Sequence, residues 1–317
     1  MKHALAAVQM IVLLTDSDIS AGIHSSLAER YSGIAHQFYS DRAWPELGIR
    51  ACCEQTYNDP ERRFEQMFPD VLEQAQPDTD WFIFTFSDTW WHLPNLSTEL
   101  RRIESAVSPA TPANDFLVVG GGGYIVFDAF MVLSRQALAY FSNKTVVDTC
   151  RSEMSECKKY EYRMPNEFAQ MVAIGCHYNG PDTGRKPSVP YSAANLVNYC
   201  AAAPLARGKC GPRAVGCEWR FGRLAREEPP EVGPDSPSSN EMARRRFRQN
   251  HKRGQIRLMK REWPPGMQEE CLPVMCALVG FEKADGETQV KLESMVKKQA
   301  ASGCCDNGTA YHSATSW

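Results

Sequence analysis

Residues 80–96 run Asp80-Trp81-Phe82-Ile83-Phe84-Thr85-Phe86-Ser87-Asp88-Thr89-Trp90-Trp91-His92-Leu93-Pro94-Asn95-Leu96, and they are the most informative segment for the fold class. Its first part is a continuous apolar run between polar residues, the pattern of a strand covered on both faces of a sheet. The run leads to Asp88, and open α/β sheets bind their ligands at the carboxyl ends of their strands. A carboxylate there suits Mg²⁺ or Mn²⁺ held against a diphosphate, because both ions prefer oxygen ligands.

The segments around this stretch alternate between strand and helix patterns up to about residue 180. A buried strand is predicted at residues 8–14, and helical spacing follows from Ile19 to Tyr31. Further strands are predicted to end at Asp41 and to cover residues 116–119, and helices are predicted around residues 61–72, 94–103 and from Ser134. Pro69 is predicted to kink or split its helix. This alternation predicts an α/β fold with a mostly parallel sheet covered by helices.

Composition and charge exclude several classes of protein. The 317 residues are 43% hydrophobic and 23% charged, as in an ordinary globular chain, which excludes a wholly disordered chain, a collagen and a coiled-coil rod. The 35 basic and 38 acidic residues leave a net charge of −3, so no global charge attracts nucleic acid or anionic lipid. Residues 244–261 are rich in Lys and Arg, but we interpret them as a solvated insertion rather than a nucleic-acid site.

The cysteines favour an oxidising compartment. The chain has 12 of them without zinc-type spacing, which favours disulfides over a metal. Glycosylation sequons at Asn95, Asn143 and Asn307 support a secretory compartment weakly. The apolar run at the N-terminus is interpreted as a strand rather than a signal, and no stretch has the length of a membrane span. A membrane anchor is therefore expected only outside this chain.

Two motifs resemble one enzyme family. The stretch 80–96 resembles the metal-binding strand of the Fringe-like, inverting β1,3-glycosyltransferases, and especially of the core 1 β1,3-galactosyltransferases, with Asp88, Thr89 and Trp90 on the last acid, the Thr and the aromatic of their motif. Residues 303–312, Gly-Cys-Cys-Asp-Asn-Gly-Thr-Ala-Tyr-His, look like the Gly-Cys-Cys-Ser-Asp…Phe-His motif of the core 1 family. The resemblance covers about residues 8–180 and the last 15 or so, and it implies a GT-A-like (Rossmann-like) fold.

The resemblance also implies the chemistry. The core 1 enzymes that this chain resembles move galactose from UDP-galactose to a protein-linked GalNAc in the Golgi lumen. The resemblance therefore implies a UDP-sugar donor, a glycoprotein or glycan acceptor and Mn²⁺. Carried over residue by residue, it implies that Asp88 and His312 are metal ligands and that Glu167 is the general base for the acceptor hydroxyl. It further implies that uridine contacts come from Thr15, Asp16 and Asp41.

Departures from the family pattern leave a second hypothesis open. Phe86 and Ser87 stand where the family has the first two acids of its acidic triplet, so half of the DxD motif is lost. The family glycines before a helix fall on residues 127–130, whereas four glycines lie upstream at 120–123. The alternative is a non-catalytic relative, chaperone-like or glycan-binding, that kept the fold.

The domain prediction follows the change in regularity along the chain. We expect a GT-A-like nucleotide-sugar-binding core at residues 1–180 and a divergent, loop-rich region at 181–300, with a flexible segment near 227–261. Residues 301–317 are expected to return to the metal site. Nothing in the sequence indicates the oligomeric state.

Overall fold

A computed structural model describes residues 7–52, 63–107, 111–120, 131–156, 196–197, 199–201, 220–223, 280–281 and 286–301. The main feature is a seven-stranded sheet with the strand order β3-β2-β1-β4-β7-β6-β8, and β5 and β9 form a separate two-stranded sheet. The strands are β1 (Val8–Leu13), β2 (Ala35–Ser40), β3 (Ile49–Ala51), β4 (Trp81–Phe86), β5 (Trp90–Trp91), β6 (Leu117–Gly120), β7 (Met131–Ser134), β8 (Arg220–Arg223) and β9 (Gly280–Phe281). The helices are α1 (Asp16–Ser20), α2 (Ile23–Arg30), α3 (Arg63–Gln74), α4 (Leu93–Val107), α5 (Arg135–Phe141), α6 (Lys144–Glu156) and α7 (Gly286–Ala301).

Strand β4 stands in the middle of the sheet, as its apolar sequence predicts. It pairs in parallel with β1, from Val8 beside Trp81 to Leu13 beside Phe86, and β1 in turn pairs in parallel with β2. Only on its other side is the pairing antiparallel, with β7. Helices follow β1, β5 and β7 in the sequence. The predicted α/β class, with a mostly parallel sheet covered by helices, is confirmed.

The core lies against both faces of this sheet. On one face, Phe82 and Phe84 of β4 belong to a buried cluster with residues of α3, α5 and α6. Phe84 and Phe68 of α3 meet edge to face, with 4.9 Å between their ring centroids. On the opposite face, Trp81 is buried and its Nε1 donates a hydrogen bond of 2.8 Å to Glu104 of α4. Burial on both faces explains why β4 carries no polar alternation.

Two local predictions about helices differ from the structure. The helical pattern from Ile19 to Tyr31 is divided into α1 and α2, because Gly22 takes a left-handed conformation with φ of 70° that a helix cannot contain. Helix α3 is continuous through Pro69, which was predicted to kink or split it. The predicted split at this proline is therefore wrong.

The chain divides into two compact units. The first contains residues 1–87, 103–120 and 124–222, and the second contains 88–102, 121–123 and 223–317. In the second unit, Trp90 and Trp91 are almost completely buried, and the ring of Trp90 stacks on His92 at 5.8 Å. Burial lowers the pKa of His92, although a hydrogen bond with Asn95 and the charge of Glu293 act in the opposite direction. Both tryptophans are thus core residues.

Disulfide bonding is confirmed in the described residues. Cys150 of α6 is bonded to Cys200, and Cys52 is also disulfide-bonded.

Of the sequons, Asn143 lies exposed at the start of α6, where its Oδ1 accepts a hydrogen bond of 3.0 Å from the backbone N–H of Thr145. At the Asn95 sequon, Ser97 is fully buried. Asn307 lies outside the described residues.

A buried tyrosine and an ion pair join β2, β3 and α3. Tyr39 donates a hydrogen bond of 2.7 Å to Asp70, and Arg50 donates two hydrogen bonds, of 2.9 and 2.7 Å, to the two oxygens of the same carboxylate. Burial and the neighbouring Asp70 raise the pKa of Tyr39. Burial acts to raise the pKa of Asp70, but the hydrogen bonds from Arg50 and Tyr39 outweigh it and lower that pKa.

We expect Asp70 to make the stability of the protein depend on acid pH. Because its folded-state pKa is lowered, its contribution is complete above the unfolded-state value of about 3.9 and is lost as the pH falls through the folded-state value. Urea unfolding of the wild type and Asp70→Asn at pH 7 and pH 3 checks this. The difference between the two proteins should be about 1–2 kcal/mol at pH 7 and smaller at pH 3. The expectation fails if Asp70→Asn loses stability toward pH 3 as steeply as the wild type does.

Candidate functional site

The carboxyl ends of β1, β2 and β4 carry polar residues at one edge of the main sheet. Parallel strands end at the same edge, and this is where such sheets bind ligands. Strand β1 leads into Thr15, which starts α1 with a capping box. Its Oγ1 accepts a hydrogen bond of 3.2 Å from the backbone N–H of Asp18, and its own backbone N–H donates one of 2.8 Å to Asp18 Oδ2. The loop after β1 is therefore fixed by its own side chains.

Asp18 joins this loop to the end of β4. Its Oδ2 accepts three hydrogen bonds, each of 2.8 Å, from the Thr15 backbone N–H, from Thr15 Oγ1 and from Ser87 Oγ. The backbone N–H of Ser87 also donates to the carbonyl of Leu13, at 3.3 Å. Asp18 and Ser87 are 69 positions apart in the sequence, so this contact fixes the end of β4 against the loop that follows β1. Ser87 thus donates a hydrogen bond to a carboxylate at a position where the family pattern has an acid.

The end of β2 contributes a stacked arginine. Ser40 is fully buried, and its Oγ donates a hydrogen bond of 2.6 Å to the backbone carbonyl of Arg42, which fixes the bend after the strand. The guanidinium carbon of Arg42 lies 4.2 Å from the ring centroid of Trp44. Arg42 also forms an ion pair of 3.7 Å with Asp16 of α1, and 63% of the Arg42 side chain remains exposed.

The structure places four of the six predicted site residues. Thr15, Asp16 and Asp41 all lie at the predicted carboxyl ends of β1 and β2, with Asp41 half-buried and Asp16 exposed. Asp88 is exposed on the turn that follows β4. The remaining two, Glu167 and His312, lie outside the described residues, as do the flexible segment and most of the region predicted to be loop-rich.

Other residues of the site carry weaker sequence signals. Asp18 occupies the fourth position of a Thr-x-x-Asp capping box, a pattern that predicts a helix start but not a contact with β4. Ser87 was interpreted only as a lost acid. Arg42 and Trp44 directly follow the predicted end of β2, and only their separation by one residue hints that they stack.

Within the described residues, no group of three or more His, Cys, Asp or Glu side chains is arranged to hold a metal ion. In the same part of the chain, no helix is long and apolar enough to cross a membrane.

Comparisons with known proteins give distant structural similarity and no match in sequence. No protein family model matches the chain, and no curated protein matches it significantly in sequence. The chain is similar to a solved structure described as a glycosyltransferase involved in the glycosylation of the major capsid of PBCV-1. The similarity covers 53% of this chain and 74% of that chain, with 14% sequence identity and a TM-score of 0.28. These values are too low to transfer an activity or a substrate.

Proposed function

We propose that this chain is a glycosyltransferase that uses a nucleotide-sugar donor. The observation that carries the proposal is the hydrogen bond between Asp18 and Ser87, which holds the carboxyl ends of β1 and β4 together at the ligand-binding edge of a parallel sheet. Polar and charged side chains of three strand ends converge there. A nucleotide, with its polar base, ribose and anionic phosphates, suits such an edge better than an apolar ligand does.

The finer proposal comes from the sequence motifs. By resemblance, the donor is UDP-galactose, the acceptor is a protein-linked GalNAc or a similar sugar, and the reaction is an inverting β1,3-transfer. Thr15, Asp16 and Asp41 are the proposed contacts for the uridine. In that reaction the acceptor oxygen forms a bond to the anomeric carbon while the bond from that carbon to the phosphate oxygen breaks and UDP leaves. Glu167 is the proposed base that takes the proton of the acceptor hydroxyl.

The described residues do not by themselves make a Mn²⁺ site. Asp88 offers one exposed carboxylate, and the hydroxyl of Ser87 is engaged with Asp18. His312, the other proposed ligand, lies outside the described residues. When bound, the ion is expected to stabilise negative charge on the departing diphosphate. Mn²⁺ dependence therefore remains a proposal that rests on the two motifs.

A secretory location, the Golgi lumen, is proposed with the activity. Two observations support it: the disulfide between Cys150 and Cys200, which persists in oxidising compartments, and the exposed Asn143 of an intact sequon.

A non-catalytic relative is the second candidate function. The observation that favours it is the engagement of Ser87, since a hydroxyl that donates to Asp18 takes the place of a metal-binding acid. Such a protein would keep a nucleotide or glycan site at the same edge of the sheet and would release no UDP from a donor.

Titration of UDP into the full chain with and without Mn²⁺ tests the proposal, followed by UDP release from UDP-galactose with a GalNAc-peptide acceptor. We expect UDP binding that Mn²⁺ strengthens, and release of UDP that requires the acceptor. Asp88→Ala and His312→Ala should abolish the effect of Mn²⁺, and Asp148→Ala, which removes a carboxylate from α6, should not. Binding of UDP without turnover identifies the non-catalytic relative. Absence of UDP binding in every condition excludes the UDP-dependent transferase and favours the non-catalytic relative.

A further inference from the structure

We infer that Arg42 is the residue that binds the phosphates of the nucleotide ligand, and that Asp16 is its exchangeable counter-ion. This inference deepens the proposed function and rests on it, and for Asp16 it replaces the uridine contact that the resemblance implies. The bend that presents Arg42 is fixed by the hydrogen bond from the buried Ser40. Its side chain is held over the ring of Trp44, and Trp44 is fixed in turn by two backbone hydrogen bonds with Ile49, of 2.9 and 3.1 Å.

Stacking prepares Arg42 for an oxyanion. A guanidinium that lies over an aromatic ring keeps its N–H groups directed outward in its own plane, and in this geometry it can donate hydrogen bonds to two phosphate oxygens at once. Because Trp44 already restricts the side chain, less conformational entropy is lost when the ligand binds. With 63% of its surface exposed, Arg42 is open to a ligand from solvent.

The partner of Arg42 in the ligand-free protein is weakly held. Asp16 lies 3.7 Å from the guanidinium and is 52% exposed, so this ion pair is a surface contact with little net stability. Asp18, the other acid of α1 near this edge, has its Oδ2 fully engaged by three donors. A diphosphate carries more negative charge than one carboxylate and can therefore displace Asp16 from Arg42.

This assignment and the family resemblance predict opposite effects for one substitution. If Asp16 contacts the uridine, as the resemblance implies, Asp16→Asn weakens UDP binding. If Asp16 competes with the phosphates for Arg42, Asp16→Asn strengthens UDP binding, by about two- to fivefold, the worth of a surface ion pair. The sign of the change distinguishes the two roles.

The experiment compares the binding of UDP, inorganic pyrophosphate and uridine to the full chain and its variants by calorimetry. Arg42→Gln should weaken UDP and pyrophosphate binding about tenfold or more and leave uridine binding unchanged, because only the phosphates lose a charged partner. Arg42→Lys keeps the charge without the planar fork, so its affinity for UDP and pyrophosphate should lie between those of the wild type and Arg42→Gln. Lys144→Gln, which removes an exposed positive charge from α6, is the matched control and should bind as the wild type does.

Each outcome supports or overturns the assignment. If the wild type binds UDP and Arg42→Gln binds it equally well, the inference is wrong and the proposed function stands. If the wild type binds pyrophosphate through Arg42 but UDP no better, the anion site stands and the proposed function fails. Weaker UDP binding by Asp16→Asn overturns the role of Asp16 as a competitor. Binding of neither ligand by the wild type overturns the assignment together with the proposed function.

Discussion

Phe84→Ala is expected to lower the free energy of unfolding by about 3–5 kcal/mol. Phe84 is fully buried in the central strand β4, and its ring meets Phe68 of α3 at 4.9 Å with an interplanar angle of 72°. Truncation removes this edge-to-face contact and leaves a cavity between the sheet and α3. Since a domain of this kind is stable by only about 5–15 kcal/mol, the variant should lose a large share of its stability. Urea unfolding followed by circular dichroism measures the change.

Two further variants separate the causes of that loss. Phe84→Leu keeps most of the apolar volume and loses the aromatic contact, so its cost should be near 1 kcal/mol. Phe86→Ala, at the half-buried end of the same strand, should cost less than Phe84→Ala. A loss below about 1 kcal/mol in Phe84→Ala itself would be incompatible with a buried site at the centre of the sheet.

Strand β4 was predictable because its evidence is local. A strand covered on both faces must be apolar at successive positions, and residues 81–84 satisfy this without reference to any other part of the chain. The direction of β7 was not predictable in this way. Its four residues are buried like those of a parallel strand, and only its pairing with β4 and β6 shows that it runs antiparallel to both.

Helix boundaries show the same limit. The spacing from Ile19 to Tyr31 fits one helix, and the positive φ of Gly22 ends that helix for a reason that no apolar period can express. At Pro69 the general cost of proline in a helix pointed to a break. The intact α3 places Phe68 and Asp70, on either side of Pro69, in contact with β4 and with the Tyr39–Arg50 pair, and these contacts outweigh that cost.

The candidate site was predictable in its position and not in its contacts. Strand ends can be located from the apolar pattern, and the polar residues after β1 and β2 are where the sequence predicts them. The pairing of Asp18 with Ser87 depends on β1 lying beside β4, which is a property of the whole sheet. For this reason Ser87, which the sequence presents as a missing acid, is a hydrogen-bond donor to the opposite loop.

Asp18→Ala is expected to have the largest effect on ligand binding among single substitutions at α1. The variant leaves three donors without their shared acceptor, two of them on Thr15 and one on Ser87, so the loop after β1 loses its attachment to β4. We expect a loss of stability of about 1–3 kcal/mol and UDP binding weakened more than tenfold, because the residues that follow β1 are no longer held in place. Calorimetric titration of UDP and urea unfolding measure the two effects.

A double-mutant cycle tests whether the contact itself carries this effect. Ser87→Ala removes one of the three donors and should have a smaller effect than Asp18→Ala. If the two side chains act through their hydrogen bond, the double variant should be less damaged than the sum of the single variants, with a coupling free energy between about 0.5 and 3 kcal/mol. If the effects of the two substitutions are strictly additive, Asp18 and Ser87 act separately. The contact between the ends of β1 and β4 would then not be the basis of a ligand site.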